Sequence, residues 1–373
     1  MTNKKHILLL GGTGAMGQQI VSLLSNREDV VCYVTSRSLR SDFVNVKYLQ
    51  GNAHDDKFLN EVLNLHPWDS VVDFMVYSTE QFRERVGVLL QSTKHYVFIS
   101  SARVYAYSDE LLTEDSPRLL DVCKDQEYLN TDEYALTKAR QEDILINSRF
   151  QNWTIVRPYI TFGENRLQLG VMEKEMWLVP ALNNRPIVFS RDIAECYTTM
   201  TDGYVLAQSI ISLMDNNAAK GEIFHVTSEQ SYKWCEILDW YLDVYEEIKG
   251  VKASVYYTEK WDSRFGGEYY QWKYDRLYNR RFDNAKIRQF VSDDIFLHTE
   301  LFIKKSIATF IKSYRPNIKD LNPNVEFIRG VLTGKFLPIQ QISGMKRKLK
   351  VIAYKLHIYN PLRKIYHGIK IHR

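Results

Sequence analysis

The chain reads as an α/β protein: a doubly wound parallel sheet, a smaller C-terminal lobe and a basic helical tail. Three observations predict this. An uninterrupted apolar run, Ile7-Leu8-Leu9-Leu10, leads straight into spaced glycines. Short apolar runs then alternate with helical patterns through the first half of the chain. The length of 373 residues, 45% of them hydrophobic, supplies enough apolar material for a large core.

Ile7–Leu10 reads as a buried parallel strand, because a strand covered by helices on both faces shows no polar alternation. Glycines follow at Gly11, Gly14 and Gly17, and then Ile20, Val21, Leu23 and Leu24 recur at helical spacing. Strand, glycine turn and helix together form the setting in which such a motif signals dinucleotide binding, and hence a Rossmann-type sheet. Gly11 permits the tight turn, Gly14 lets the backbone approach a pyrophosphate, and Gly17 allows close helix packing. The phosphate would sit at the helix N-terminus, among Thr13, Ala15 and Met16, where unpaired N–H groups and the helix dipole favour negative charge.

Further strands are expected over 30–35, 46–49, 71–76, 96–101 and 153–157, with helices over 58–65, 82–92 and 132–147. The alternation implies a parallel sheet with helices on both faces. Ligands bind such sheets beyond the C-terminal ends of the strands. After Pro158 the pattern loosens. A helix is expected over 205–213, a strand over 223–227 and a helix over 234–245, followed by an aromatic and charged stretch over 255–283. Residues 1–160 therefore read as the dinucleotide-binding domain, with elements returning at about 190–230. Residues 161–340 read mostly as the lobe and 341–373 as the tail.

Cys32, Cys123, Cys196 and Cys235 lack paired spacing, so neither a disulfide framework nor a zinc site is expected, and a reducing cytoplasm is. The first strand begins within seven residues, which argues against a signal peptide. No apolar run reaches the ~18 residues of a membrane-spanning helix. Net charge is +4, unevenly placed: residues 345–373 hold nine Lys/Arg and no Asp or Glu, which leaves the rest of the chain at −5.

Tyr134 and Lys138 stand four apart on an expected helix, and so share one face. A nearby ammonium favours the phenolate, which suits Tyr134 to proton transfer. Ser100-Ser101 ends the fifth strand, at the sheet edge where ligands bind, so Ser101 can hydrogen-bond a substrate oxygen beside Tyr134.

These motifs resemble the short-chain dehydrogenase/reductase superfamily, and within it the extended epimerase/dehydratase branch that modifies nucleotide sugars. The resemblance rests on Gly11-x-x-Gly14-x-x-Gly17, Ser100-Ser101-Ala102-Arg103-Val104-Tyr105, Tyr134-x-x-x-Lys138 and Arg157-Pro158. Phe224-His225-Val226-Thr227 and Phe282-Asp283-Asn284-Ala285-Lys286-Ile287 follow in the family's order. It implies an NAD(P)-dependent enzyme in which Tyr134 is the general acid/base, Lys138 holds the nicotinamide ribose and tunes Tyr134, and Ser101 orients the reacting oxygen. Asn52 and Tyr77 fall where the cofactor should lie. A homodimer is also implied.

Three departures shape the expectation. The second strand ends Thr35-Ser36-Arg37, with Arg40 close by, where an NAD-preferring strand carries an acid. A hydroxyl and arginines suit a 2′-phosphate, so NADP(H) is expected over NAD(H). Ala102-Arg103 stands where the family's sugar dehydratases carry Asp-Glu, which argues against dehydration. Ile160 stands where the family often places Asn. A net reduction of a nucleotide-linked ketosugar is the leading expectation, in polysaccharide precursor synthesis. An epimerase with tightly held NAD is the alternative, and a non-catalytic dinucleotide sensor is the rival from another class. Arg264, Arg280 and Arg281 are candidates for a substrate diphosphate, because guanidinium groups bind phosphate bidentately.

In the tail, Leu349, Ile352, Leu356 and Tyr359 recur at helical spacing, as do Leu362, Ile365 and Ile369 beyond Pro361. Basic residues surround both groups. Such a segment suits an anionic membrane surface at the cytoplasmic face or a pathway partner; a helix packed on the enzyme body or a contact between subunits is the alternative. No nucleic-acid motif accompanies the charge.

Overall fold

The computed structural model describes residues 4–356, apart from 164–165, 266, 297, 316–320 and 343. It divides into two compact units. The first comprises 1–167, 197–232 and 278–306; the second comprises 168–196, 233–277 and 307–373.

The first unit is built on a parallel seven-stranded sheet. Its strands are β1 (Lys5–Leu10), β2 (Val30–Ser36), β3 (Val46–Gln50), β4 (Ser70–Asp73), β5 (Tyr96–Ile99), β6 (Trp153–Pro158) and β7 (Glu222–Val226). They lie in the order β7-β6-β5-β4-β1-β2-β3, every neighbouring pair parallel. The order reverses at β1, so the crevice between the diverging β1 and β4 connections is the place such a sheet offers a ligand.

Both faces of β1 are buried, which explains its unbroken apolar run. Ile7 and Leu9 join a core with Ile20, Val21 and Leu24 of helix α1 (Ala15–Leu24). Leu8 and Leu10 point to the opposite core, formed with α2 (Asp56–Leu63) and α3 (Thr79–Gln91). α3 packs against α4 (Tyr134–Ile146), and α1 against α5 (Gly203–Met214).

The fourth strand is shorter than the apolar pattern predicts. It ends at Asp73 instead of Val76, because the buried Asp73 carboxylate accepts the Met75 N–H at 2.9 Å and the Tyr96 hydroxyl at 2.7 Å. The local turn lifts Phe74–Val76 out of the sheet. The long tyrosine helix also starts two residues later than its pattern, since Glu133 caps it by accepting the Ala135 N–H at 2.8 Å.

Behind α4 lies a buried ionic cluster. Glu142, with no solvent exposure, accepts two hydrogen bonds from Arg157, at 2.8 and 2.7 Å, and one from Ser100 at 2.6 Å. Arg118 adds a fourth at 3.3 Å. Arg157 also donates to the Glu114 carbonyl and lies 4.8 Å from the Tyr105 ring.

The second unit holds the short parallel pair Ile187–Ser190 and Val255–Thr258, and the helix α6 (Trp234–Lys249). Trp177 is buried edge-on against Tyr241 of α6 at 4.8 Å. Glu326, on α7 (Pro323–Thr333), is buried between Arg185 and Arg329. The chain then forms α8 (Met345–Lys355). Among the expected tail positions, Tyr359, Leu362, Ile365 and Ile369 lie outside the described residues.

Glu142→Leu leaves Arg157 buried without its carboxylate, so stability measured by urea unfolding should fall by about 3–5 kcal/mol. The double variant Glu142→Leu/Arg157→Leu should recover part of that loss. Equal stability of wild type and the single variant would show that the cluster does not hold this part of the fold.

Candidate active site

The glycine loop between β1 and α1 forms a cradle whose shape depends on missing side chains. Gly11 sits at φ +70°, and its N–H donates to the Thr35 hydroxyl at 2.9 Å. A Cβ on Gly17 would stand 2.4–2.6 Å from the backbone of Gly12, so the first turn of α1 rests directly on the loop. Gly12 itself has no room for a side chain, since a Cβ would meet Leu9 at 2.7 Å. Gly14, by contrast, faces open space. Gly14 is also the N-cap of α1, without a capping side chain and with no acid in the first turn. Its terminal N–H groups therefore remain available to an anion.

Beside this loop lies a cleft of about 340 Å³, lined by Gly11, Thr13, Gly14, Thr35, Ser36, Arg37, Asn52 and the Phe74–Val76 segment. That volume falls in the range of small-ligand clefts. Arg37 is exposed at its rim and pairs with no described residue. Asn52 accepts the His54 N–H through its side chain and turns the chain after β3. These features fit a dinucleotide: a glycine floor, an uncapped helix terminus, and a hydroxyl–arginine rim. Not every predicted contact lies here. Arg40 stands 5.7 Å from the Tyr48 ring and outside the cleft lining. Tyr77 is buried in the core, edge-on to His54 and against Phe82. Ala15 and Met16 line a second, smaller hollow with Thr161, Phe162, Gly163 and Arg166.

Lys138 and Ser101 both stand at the C-terminal end of β5, and Tyr134 opens the helix that carries Lys138. Lys138 is buried, and its ammonium donates to the Ile99 carbonyl at 2.8 Å while standing 4.5 Å from the Phe98 ring. Burial lowers its pKa to about 8, opposed by the negative charges of Asp73 and Glu142. It is therefore still largely protonated at neutral pH. The same burial raises the pKa of Asp73, against the hydrogen bonds of Tyr96 and Met75 and the charge of Lys138. Tyr134 opens α4, one turn before Lys138. Ser101, just past β5, accepts the Arg103 N–H at 3.2 Å. The Arg103 guanidinium then donates to Glu133 at 2.5 Å and stands 5.2 Å from the Tyr134 ring. One arginine thus links the serine turn to the start of the tyrosine helix.

The arginines expected for a substrate diphosphate belong to both units, and each has protein partners. Arg264 belongs to the second unit, where Asp262 holds it through contacts of 2.5–3.0 Å. Arg280 is buried in the first unit and donates to the Ala106 carbonyl at 3.2 Å. Arg281 donates to the Asp109 carbonyl at 2.6 Å and stands 5.6 Å from the Tyr197 ring.

Several residues important to the geometry were not singled out from the sequence. Glu142 lies four residues after Lys138, a signal that was available, because i and i+4 share a helix face. Gly12 was visible as the second of a glycine pair. Arg103 was visible only as a departure from the dehydratase pattern, and Arg166 carries no sequence signal of its own. Ile160, buried at φ +26°, is a β-branched residue in a conformation that Asn tolerates better. Among the described residues there is no His/Cys/Asp/Glu cluster suited to a metal ion.

No family model and no curated protein matches the chain. Solved structures do. dTDP-glucose 4,6-dehydratase from Bacillus anthracis, in complex with NAD, superposes with TM-score 0.63 at 14% identity, covering 83% of this chain and 97% of that one. UDP-glucuronic acid 4-epimerase from Bacillus cereus, in complex with NAD, gives TM-score 0.61 at 13% identity over 83% and 100%. A short-chain dehydrogenase/reductase superfamily protein from Agrobacterium tumefaciens with bound NAD gives TM-score 0.59 at 16% identity over 82% and 97%. The chain has the fold of these proteins.

The lowered pKa of Lys138 has a measurable sign. Between pH 8 and the ordinary lysine value of 10.5, the unfolded chain binds a proton that the folded protein has released. Folding stability should therefore rise with pH across that window, by about 3 kcal/mol relative to Lys138→Met, in urea titrations at successive pH values. A pH-independent difference between the two proteins would contradict the placement of Lys138.

Proposed function

We propose that the protein is an NAD(P)-dependent oxidoreductase of the extended short-chain dehydrogenase/reductase type, acting on a nucleotide-activated sugar. What supports this reading is that one unit holds the glycine cradle, Ser101 just past β5, Lys138 bonded to the Ile99 carbonyl, and Tyr134 one helical turn before Lys138. A sensor of dinucleotides needs the cradle but not a proton-transfer tyrosine.

A bound nicotinamide dinucleotide supplies or accepts the hydride. Gly11, Thr13, Gly14 and the first turn of α1 would hold its phosphates, and Lys138 its nicotinamide ribose. The Tyr134 phenol gives a proton to the sugar oxygen when a carbonyl is reduced, and takes it back in the reverse direction. Ser101 hydrogen-bonds that oxygen and fixes it beside Tyr134. No carboxylate pair follows Ser101, so the reading does not include elimination of water.

The finer reading is an NADPH-dependent ketosugar reductase in the cytoplasm, acting as a homodimer. Arg37 supports NADP(H), since an exposed guanidinium lining the cleft, paired with no described residue, suits a 2′-phosphate. Net reduction follows from an exchangeable NADPH. An epimerase with retained NAD is the second reading, favoured by the epimerase and NAD complexes among proteins of the same fold.

Titration with NADPH and NADH, followed by nicotinamide fluorescence, separates the two. A reductase should prefer NADPH, and Arg37→Ala should weaken NADPH by about tenfold or more while leaving NADH unchanged. NAD recovered from the denatured protein, with neither dinucleotide binding, would favour the epimerase. Tyr134→Phe should lower turnover of a nucleotide-linked ketosugar by about 10²–10⁴ while leaving dinucleotide affinity within a few-fold. Full turnover in that variant would remove Tyr134 from the reaction.

A further inference from the structure

Helix α8 presents two unlike faces. One packs on the second unit: Val351 is buried, and the Tyr354 ring lies 5.9 Å from Phe327 and 5.5 Å from Phe336. The Lys350 ammonium stands 4.0 Å from the Phe327 ring, laying its stem along the same surface. The other face is apolar and open. Met345 is 70% exposed, Leu349 55%, Ile352 36% and Leu356, the C-cap, 63%. Their 4-3-4 spacing places all four within an arc of about 60°, at 3.6 residues per turn. Lys346 and Lys348 border this stripe. The helix carries Lys346, Arg347, Lys348, Lys350 and Lys355 with no acidic residue, and the sequence beyond it adds four more basic residues and again no acid.

We infer that this face of α8 docks the protein on an anionic lipid surface. A narrow apolar stripe with cationic borders is the pattern of a helix lying in the plane of a membrane interface. The stripe enters the boundary between headgroups and acyl chains while the lysines meet lipid phosphates. A second copy of the chain is a poorer occupant, because a two-fold contact would bring two acid-free basic helices face to face. Among the described residues no helix is long and apolar enough to cross a membrane, so the contact is peripheral. This inference does not depend on the catalytic reading, since α8 carries none of the proposed active-site residues.

The test is co-sedimentation of the full chain with vesicles of phosphatidylcholine containing about 30% phosphatidylglycerol, compared with phosphatidylcholine alone. Binding to the anionic vesicles should be at least about tenfold tighter and should weaken at about 0.5 M salt. The double variant Leu349→Ser/Ile352→Ser should lose about tenfold or more on the same vesicles, while its thermal unfolding and NADPH affinity match wild type. Lys346→Glu/Lys348→Glu should lose binding similarly. Wild type remaining in the supernatant with anionic vesicles would overturn the inference. So would unaltered vesicle binding by Leu349→Ser/Ile352→Ser. A wild-type dimer that this variant dissociates, with no vesicle binding in either protein, would assign the stripe to a second copy and overturn it as well.

Discussion

One carboxylate without access to water organises the reactive end of the sheet. Glu142 ties α4 to β6 through Arg157, and to the residue after β5 through Ser100. A buried charge is costly unless its hydrogen bonds are filled, and here guanidinium groups and a hydroxyl fill them. The cost of misplacing any partner therefore fixes α4 against the ends of two strands. Lys138 sits one turn earlier on the same helix, and its ammonium reaches the Ile99 carbonyl as a consequence. Tyr134 and Ser101 inherit their positions from that arrangement, with Arg103 as a second brace at the helix start.

The dinucleotide cradle obeys a different constraint, steric and not ionic. Gly12 and Gly17 are in backbone contact, and Gly11 takes a positive φ that most side chains resist. Asp73 links the two halves of the site. It ends β4, projects Met75 to within 2.8 Å of where a Gly11 Cβ would lie, and contributes negative charge to the surroundings of Lys138. Buried carboxylates thus influence the lysine from two sides. Their attraction opposes its desolvation and keeps it charged near neutrality.

Much of this was legible in the sequence because it follows from periodicity. The apolar run at Ile7–Leu10 identified β1, and the alternation of strands and helices identified the parallel sheet. Where residues act through local polar contacts, the pattern misled: Val71–Val76 reads as one strand, yet the Asp73 side chain ends it after Asp73. The arginines expected for a diphosphate are a related case. Composition marks Arg264, Arg280 and Arg281 as available cations, but each finds a partner close by in its own unit. Charge in a sequence does not reveal whether a neighbour has already neutralised or occupied it.

The sequence by itself determined the doubly wound sheet, the glycine turn and the four-residue spacing of Tyr134 and Lys138. Each depends on short-range geometry: strand alternation, backbone sterics and helical repeat. The tertiary structure alone decided that Glu142 would be buried against Arg157 and Ser100, that Arg103 would bridge Ser101 to Glu133, and which side of α8 would remain open. Those outcomes rest on contacts between segments far apart in the chain, whose free energies depend on desolvation. Desolvation is set by the packing of the whole unit, and no local pattern encodes it.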